Sequence, residues 1–389
     1  MMRKSICFIS ALALVSSVGL LILASCGNHD KLSCPILDVS SPQEVTPSEV
    51  FSSVEVIPLT LPEGIYLSTV WGLYSIGDKF LVKDSKRDFV FLFSNDGQYI
   101  SHSEKARGHG HGEYTNLLNF TYNPYSKLVE MTTPNNLIFY DTLFNYVKSV
   151  PLPSKWPKGR EGGYFFGRIY DLSPSLHLLM PLQAPRKICV FDSETSKITK
   201  EIPFDEHLIL GMSMQSKCFY PREDGTMLFF PPCISKCLYT FDTNTFSITP
   251  YLSLDFGGQG YDAEVLREMS EKDEETRADL QLEYKKGMPM THLPIGEYLI
   301  IEVKHGKYIY DFQTFAVHVP TGQCMSIKQY QEKKPLLPQL IDACEDGVLA
   351  VVETTELESL LEPFDEKDVI MPSRGADPNG YVILKYRVK

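Results

Sequence analysis

The residues whose types and spacing most suggest chemistry lie in one segment, Arg107-Gly108-His109-Gly110-His111-Gly112-Glu113-Tyr114. Imidazole and carboxylate groups bind zinc and other divalent ions, and His109 and His111 would point to one side of an extended chain. A closed metal site needs about four ligands, and the sequence places no further histidine pair beside this one. We therefore predict no metal and no cofactor, with His109 and His111 as the only metal-ligand candidates. The alternative role is structural, in which the glycines permit unusual dihedrals and Glu113 and Tyr114 tie the segment to its surroundings.

The first 25 residues have the pattern of an export signal. Arg3 and Lys4 precede an apolar run that ends in Leu23-Ala24-Ser25-Cys26, which supplies a charged region, a hydrophobic region and a small-residue cleavage site. This pattern looks like a bacterial lipobox, so we predict cleavage before Cys26 and lipidation of its thiol. A transmembrane anchor or an ordinary signal peptide is the alternative. Residues 26–47 show little hydrophobic periodicity and predict a flexible tether between lipid and domain.

The charge of the mature chain limits its partners. Loss of residues 1–25 would remove two basic and no acidic residues, leaving 35 Lys and Arg against 49 Asp and Glu, or −14. An acidic surface disfavours nucleic acid and anionic lipid headgroups. We therefore predict no nucleic-acid partner, and membrane contact only through the N-terminal lipid.

Cysteine usage does not predict a disulfide framework. Seven cysteines besides Cys26 would remain in the mature chain, at irregular spacings, and most are expected to be small buried hydrophobes. Cys233 and Cys237 flank a predicted turn and could form a local disulfide in an oxidising envelope. In an extended segment they would lie roughly 13 Å apart, too far to bridge, so the sequence leaves this pair open.

A repeat of about 50 residues begins beyond Phe51, and each unit contains four short apolar strands joined by polar turns. The end of the third strand is marked by an aromatic residue with Asp close behind it, and more loosely by His318. These markers are Phe93, Tyr140, Phe191, Phe241 and His318. Successive steps are 47, 51, 50 and 77 residues, and the last falls to 51 if the charged stretch 261–286 is an insertion. Four strands at this period favour propeller blades, because each small sheet needs neighbours to cover its faces.

The two ends of the chain predict how the ring closes. Ile57-Pro58-Leu59 repeats a fourth-strand signature seen at Val150-Pro151-Leu152 and Ile202-Pro203-Phe204, and Pro is tolerated in an outermost strand because its edge is free. Residues 381–389 form a third strand with no fourth after it, so Val54–Thr60 is predicted to complete the last blade. The fold class is therefore all-β, a six-bladed β-propeller of four-stranded blades over residues 48–389. Its blades begin near Trp71, Asn119, Arg168, Lys217, Met288 and Leu340.

The sequence resembles the six-bladed β-propeller lipoproteins of Bacteroidales, which share a TolB-like or NHL-like propeller architecture. The resemblance rests on the lipobox at Cys26, on the blade period, and on residues 107–114, which are similar to that family's Gly-x-Gly-Pro-Gly-Glu-Tyr signature after the first blade. It covers most of residues 50–389 and implies the fold and an envelope location, but no activity. His111 stands where the family usually has Pro, which implies a less rigid loop here.

A propeller has two faces, and the unusual segments fall on one of them. Turns between strands one and two, and three and four, lie on what we call the turn face; turns between strands two and three and the connections between blades lie on the crossover face. Turn-face segments such as Glu345-Asp346-Gly347 are short and ordinary.

The crossover face is predicted to hold residues 107–114, 155–160, 261–286 and 353–379. Because function concentrates in such loops, we expect binding there, and substitutions at Asp224 or Asp346 that abolish binding would contradict this. The candidate binding residues are Arg107, His109, His111, Glu113, Tyr114, Trp156, Arg186 and Lys187.

The insertion at 261–286 carries 14 charged residues in 26. Ser270 precedes Asp273 by three positions, which is a capping-box spacing, so the insertion is predicted to be one or two short helices. It is either a lid over the crossover face or a solvated decoration, and charge-rich helical faces favour the decoration.

Three functions remain open from the sequence. The first is an envelope lipoprotein, on the periplasmic or surface side of the outer membrane, whose propeller binds a protein, peptide or glycan. The second is a metal-assisted hydrolase or lyase with its site at the mouth of the axial channel. The third is a structural partner in an outer-membrane assembly. No nucleophile elbow, phosphate loop or His-Glu-x-x-His motif occurs, which favours a non-catalytic role without excluding an enzyme.

Overall fold

Short apolar stretches between polar turns form six antiparallel four-stranded sheets, and three of these sheets gain a fifth, parallel strand. This arrangement confirms the six-bladed β-propeller. The computed structural model describes residues 34–153, 166–181, 187–204, 217–231, 235–260, 265, 268, 272, 288–304, 312–331, 334–373 and 375–389.

The described elements follow the blades in chain order. Before the first blade come β1 (Ile36–Asp38), β2 (Gln43–Val45), α1 (Pro47–Val50) and β3 (Phe51–Pro58). Blade 1 consists of β4 (Val70–Ile76), β5 (Lys79–Asp84), β6 (Phe89–Ser94) and β7 (Tyr99–His102). Blade 2 consists of β8 (Asn119–Asn123), β9 (Leu128–Thr132), β10 (Asn136–Tyr140) and β11 (Tyr146–Pro151). Blade 3 consists of β12 (Phe166–Asp171), β13 (Leu176–Pro181), β14 (Lys187–Asp192) and β15 (Lys197–Pro203).

The remaining blades carry the connections that differ most from the repeat. Blade 4 consists of β16 (Phe219–Pro221), β17 (Thr226–Phe229), β18 (Cys237–Asp242) and β19 (Ser247–Asp255). Blade 5 consists of β20 (Met288–Ile295), β21 (Tyr298–Lys304), β22 (Phe312–His318) and β23 (Gln323–Ile327), and the hairpin β24 (Tyr330–Gln331) and β25 (Lys334–Pro335) follows it. Blade 6 contains β26 (Asp342–Cys344), β27 (Gly347–Glu353), α2 (Leu357–Leu361), β28 (Val369–Ile370) and β29 (Tyr381–Val388). Short 3-10 helices lie at Glu104–Ala106, Gly257–Gln259, Thr354–Glu356 and Glu366–Asp368.

Burial differs between the inner and outer strands of a blade. In β6 the residues from Phe89 to Phe93 are all buried, because both faces of the strand pack against neighbouring blades. In the outermost strand β11, most residues are exposed or half-buried. The core is therefore made by the stacking of blades, and continuous apolar strands are typical of sheets covered on both faces.

The aromatic-plus-Asp marker has a local physical cause. The carboxylate of Asp192 accepts hydrogen bonds from the backbone N–H of Glu194 at 2.9 Å and of Thr195 at 3.4 Å. Asp141 and Asp242 cap the equivalent turns of blades 2 and 4 in the same way. Asp thus recurs at the turn from the third to the fourth strand because it satisfies backbone donors there.

The N-terminal strand closes the ring as predicted. β3 pairs antiparallel with β29, with Val56 opposite Leu384 and Val54 opposite Tyr386. The first and last parts of the propeller therefore share one sheet. Val54 and Leu384 are both fully buried, so the joint is part of the core.

The predicted tether of residues 26–47 requires a correction over its described part. β1 pairs in parallel with β19, with Ile36 opposite Ser253, and β2 pairs in parallel with β23, with Gln43 opposite Met325. These two segments are fifth strands of blades 4 and 5 and belong to the unit Cys34–Lys389. Residues 34–47 therefore belong to the compact unit of the propeller and are not a flexible tether.

Some predictions fall on other parts of the chain. The insertion 261–286 lies outside the described residues except at positions 265, 268 and 272. Cys233 also lies outside them. Of the six described cysteines, Cys189, Cys218 and Cys237 are buried, and Cys34, Cys324 and Cys344 are half-buried. Across the described ranges, no helix has the length and hydrophobicity that crossing a membrane requires.

Candidate functional site

The 107–114 loop connects blade 1 to blade 2 on the crossover face, and two of its polar side chains, Tyr114 and Glu113, form hydrogen bonds within the fold. The hydroxyl of Tyr114 lies 2.6 Å from Oγ of Ser103 and donates to the carbonyl of Asp88 at 2.8 Å. Tyr114 is only 1% exposed, so its candidacy as a surface binding residue is wrong. Glu113 Oε2 accepts a hydrogen bond from the N–H of Gly110 at 2.8 Å. Both side chains hold the loop in shape.

The glycines of this loop are required by close packing. Gly112 has a φ of +75°, and a Cβ there would overlap the ring of Tyr146. The hydroxyl of Tyr140 donates to the carbonyl of Gly112 at 2.8 Å, which fixes the loop against blade 2. Since L side chains rarely adopt this φ, Gly112 is architectural.

The two histidines of the loop are exposed, and they do not meet a third ligand in the described structure. The ring of His111 packs edge-on against Tyr146, with 4.7 Å between the ring centroids. Neither His109 nor His111 belongs to a described group of three side chains that could hold a metal ion, and neither lines the axial cavity described below. The loop therefore places them at the surface without completing a metal site among the described residues.

The other candidates on the crossover face divide into two groups. Trp156 and Arg186 lie outside the described residues. Lys187 was a candidate binding residue of the crossover face, but it is the first residue of β14, is only 8% exposed, and forms an ion pair with Glu201. Nearby, Lys83 pairs with Asp88 at 3.0 Å. These cations are already neutralised by neighbouring carboxylates.

A large concave surface lies at the centre of the opposite, turn face. It is a cavity of about 1290 Å³ whose wall is formed by the ends of the innermost strands, by the turns that follow them and, at blade 6, by residues of β3 and β29. All six blades contribute, and Gly77, Tyr125, Asp224, Gly296 and Glu345 mark its rim at five of them. Asp171 at the end of β12 supplies the wall at blade 3. The short turns that seemed ordinary in sequence therefore surround the cavity.

Tyrosines form the most regular feature of this wall. The innermost strands of four consecutive blades each present one, namely Tyr74, Tyr122, Tyr170 and Tyr220. Their spacings are 48, 48 and 50 residues, which is the blade period. Burial raises the pKa of Tyr170 to about 12, so its hydroxyl stays protonated and can donate and accept hydrogen bonds near neutral pH.

The hydroxyl groups of these four tyrosines differ in whether they form hydrogen bonds within the protein. The Tyr74 hydroxyl donates to Asn119 Oδ1 at 2.6 Å, and desolvation by burial raises its pKa. The hydroxyl of Tyr220 has no hydrogen-bond partner among the described residues, and burial raises its pKa well above the usual value. Tyr74 and Tyr220 are only 6% and 7% exposed and pack on Phe120 and Phe230, whereas Tyr122 and Tyr170 are half-buried.

The charged residues of the wall nearly balance. It contains five basic and six acidic residues, namely Arg168, Lys217, Arg222, Lys385 and Arg387 with Glu55, Asp171, Glu223, Asp224, Glu345 and Asp346. Several are paired with one another: Arg387 contacts Glu55 at 2.7 Å and Asp346 at 3.2 Å. A balanced and internally paired wall does not select a strongly charged ligand.

One ion pair fixes the floor where blades 1, 4 and 6 meet. Nζ of Lys217 lies 2.9 Å from Oδ2 of the fully buried Asp342 and donates to the carbonyl of Ser75 at 2.9 Å. Desolvation raises the pKa of Asp342, while Lys217 beside it acts in the opposite direction. This contact joins three blades at the axis and gives the cavity a rigid base.

The tyrosine ring is a signal that the sequence contains and that we did not use. Turn residues identify the ends of strands, but they do not show which side chains of those strands face the central axis of the propeller. A single Tyr is most often a core residue. A Tyr that recurs at the blade period near the end of the first strand is more specific. Period and position together would have indicated the cavity wall.

Comparisons with known proteins agree with this fold. A family model described as "Domain of unknown function (DUF4934)" matches residues 34–372. A candidate exported protein from Bacteroides fragilis has a TM-score of 0.68 and 15% identity, over 91% of this chain and 99% of that one. A member of the DUF4221 family from Bacteroides vulgatus has a TM-score of 0.53 and 12% identity, over 87% of this chain and 99% of that one. No curated protein matches the sequence. At such identities, the two structures show a shared fold alone.

Proposed function

The chain belongs to the DUF4934 family, and we propose that it is an envelope-anchored binding module that takes a glycan into the axial cavity of the turn face. The observation that carries the proposal is the ring of Tyr74, Tyr122, Tyr170 and Tyr220 around a cavity of about 1290 Å³. Ligand sites are concave, largely preformed and lined by aromatic residues with a few polar groups. Non-catalytic binding needs nothing beyond such a surface.

The chemistry of the wall favours a glycan over a highly charged ligand. Sugar rings have apolar C–H faces that pack on aromatic rings, and tyrosine adds a hydroxyl at its polar end. Their hydroxyl groups accept and donate hydrogen bonds to carboxylate, guanidinium and ammonium groups, which the wall supplies in nearly equal numbers of each charge. The cavity is larger than the roughly 300–1,000 Å³ of most small-molecule sites, which favours several sugar units.

The proposed location rests on the N-terminal sequence. Leu23-Ala24-Ser25-Cys26 follows a hydrophobic segment, so Cys26 would be lipidated and would hold the propeller at the outer membrane. The TolB-like or NHL-like character of the propeller is likewise part of this proposal. Two or more acyl chains anchor stably where one does not, and the propeller would then work close to the membrane surface.

The experiment compares two exposed tyrosines, one on each face. Tyr125 lines the cavity and is 57% exposed; Tyr66 is 59% exposed and stacks on Arg87, 4.2 Å away, at the crossover side of blade 1. Purified protein is screened on a glycan array, and the affinity for the best glycan is measured by calorimetry. We expect Tyr125→Ala to weaken binding at least about tenfold, since one stacked aromatic contributes about 1.5 kcal/mol, and Tyr66→Ala to change it less than about twofold.

Three outcomes would contradict the proposal. The first is binding of peptides but of no glycan on the array. The second is equal loss in both variants. The third is loss in Tyr66→Ala alone, which would support the crossover-face prediction made from the sequence.

A further inference from the structure

Three side chains with metal-binding groups meet between blades 2 and 3. His177 on β13 lies directly opposite Asp171 on β12 in the antiparallel ladder, and Glu130 on β9 reaches them from blade 2. Nδ1 of His177 lies 2.8 Å from Oδ1 of Asp171 and 3.2 Å from Oε2 of Glu130. Glu130 and His177 are fully buried, and Asp171 is 6% exposed.

The protein does not satisfy this cluster by itself. Two carboxylate oxygens face one imidazole nitrogen, and a single N–H cannot make two well-aligned hydrogen bonds. Oε2 of Glu130 accepts no well-aligned hydrogen bond among the described residues, and its close contact in the cluster is the 3.2 Å ion pair with Nδ1 of His177. Its other oxygen, Oε1, accepts from Nδ2 of Asn123 at 2.9 Å. A buried carboxylate oxygen without a well-aligned donor is costly, and a cation bound at this point would offset that cost.

The charges lead to the same conclusion. With both carboxylates ionised, an imidazolium leaves the cluster with one net negative charge in a site that excludes water. Among the described ion pairs, no Lys or Arg lies within 4 Å of Glu130 or Asp171; His177 is the partner of both. A divalent ion bound to two carboxylates and a neutral imidazole gives a net charge of zero, which removes most of the cost of burial.

We propose that Glu130, Asp171 and His177 bind one divalent transition-metal ion at the interface of blades 2 and 3. One nitrogen and two oxygen ligands suit Zn²⁺ or Mn²⁺ better than Ca²⁺, which takes six to eight oxygen ligands. Ligand atoms about 3 Å apart match the edges of a coordination shell with bonds near 2.1 Å. Asn123 orients Glu130 and also donates to the carbonyl of Ser173 at 3.0 Å, as the outer partners of metal ligands do.

The ion would reach its ligands from the axial cavity. Asp171 belongs both to the cluster and to the cavity wall, whereas Glu130 and His177 lie behind it. This site is distinct from His109 and His111, which the sequence suggested as metal ligands. The proposal does not depend on the identity of the cavity ligand, because metal content is measured without one.

The experiment measures Zn²⁺ in the purified protein. After treatment with EDTA and dialysis, the protein is titrated with Zn²⁺ in a calorimeter, and the retained metal is determined by mass spectrometry. We expect about one equivalent per chain in the unchanged protein and at least a tenfold loss of affinity in His177→Gln and Asp171→Asn. The His109→Ala/His111→Ala double variant is the control and keeps the full equivalent.

A second measurement guards against variants that fail to fold. Crystals of the unchanged protein, soaked in Zn²⁺, are expected to show an anomalous-scattering peak between the three side chains. A peak only at other residues, no zinc in the unchanged protein, or undiminished zinc in a folded His177→Gln variant would each overturn the proposal.

Discussion

The two faces of this propeller use unusual residues in opposite ways. On the crossover face, two side chains of the 107–114 loop hold the loop itself: Tyr114 bonds to Ser103 and Asp88, and Glu113 bonds to Gly110. On the turn face, short turns leave an open centre of about 1290 Å³. A conspicuous sequence can therefore mark a backbone that is difficult to build, while ordinary turns can frame a large cavity.

The largest expected effect is a difference in stability between two glycine-to-alanine substitutions, one on each face. Gly112→Ala should destabilise the protein by about 3 kcal/mol, since it combines a left-handed φ that costs roughly 1–2 kcal/mol with overpacking that costs about 1–3 kcal/mol. Gly77, on the turn face, has a φ of +56° but open space around a Cβ, so Gly77→Ala should cost only about 1–2 kcal/mol. Urea denaturation measures both, and equal losses would remove the distinction between the faces.

A second effect concerns a carboxyl buried beneath the crossover face. Oε1 of the fully buried Glu302 accepts from the N–H of Leu340, in the connection to blade 6, at 2.7 Å, and desolvation raises its pKa to about 8. The folded state therefore keeps a proton that the unfolded state loses above about pH 4.5. Raising the pH thus favours unfolding, and the stabilisation is lost progressively from about pH 4.5 through pH 8.

The measurement is the free energy of unfolding at pH 6 and at pH 8. The contribution of Glu302 should fall by about 2 kcal/mol between these values, at about 1.4 kcal/mol per pH unit, and Glu302→Gln should lose that part of the slope. Glu345→Gln, at an exposed carboxylate of the turn face, is the matched control for removal of a charge. An unchanged slope in Glu302→Gln would mean that this carboxyl is ionised in the folded protein.

The smallest effect is expected where the sequence is most conspicuous. The His109→Ala/His111→Ala double variant should change the free energy of unfolding by less than about 0.5 kcal/mol, as is usual for exposed positions. Its affinity for the cavity ligand should also stay within about twofold. Calorimetry with the glycan identified on the array tests this, and a large loss would return the binding site to the crossover face.

Much of the fold could be predicted because its signals are local. Asp141, Asp192 and Asp242 recur since each caps its own turn, and Pro58 lies at the end of β3, beyond the positions where β28 pairs with that strand. β1 and β2 were missed for the opposite reason. Each has three residues and pairs with strands more than 200 positions away, so neither periodicity nor composition over so short a segment could reveal them.

The candidate site could be predicted much less well. Lys187 was expected in an exposed turn, but it begins a buried strand and pairs with Glu201. Glu130 and His177 sit in apolar strands, and a charged residue in such a strand is a signal we could have used. The packing of one blade against the next decides which side chain lies opposite such a charged residue. The sequence of a single repeat does not specify that packing.

The sequence by itself determined the repeat, the number of blades and the closure by β3, because turn capping, strand alternation and edge proline act over a few residues. It also determined that residues 107–114 depart from the repeat. Only the tertiary structure decided that this loop is held by its own hydrogen bonds, and that Tyr74, Tyr122, Tyr170 and Tyr220 converge on one cavity. Convergence of side chains from separate blades follows from ring closure, which brings together residues that are about 50 positions apart in the chain.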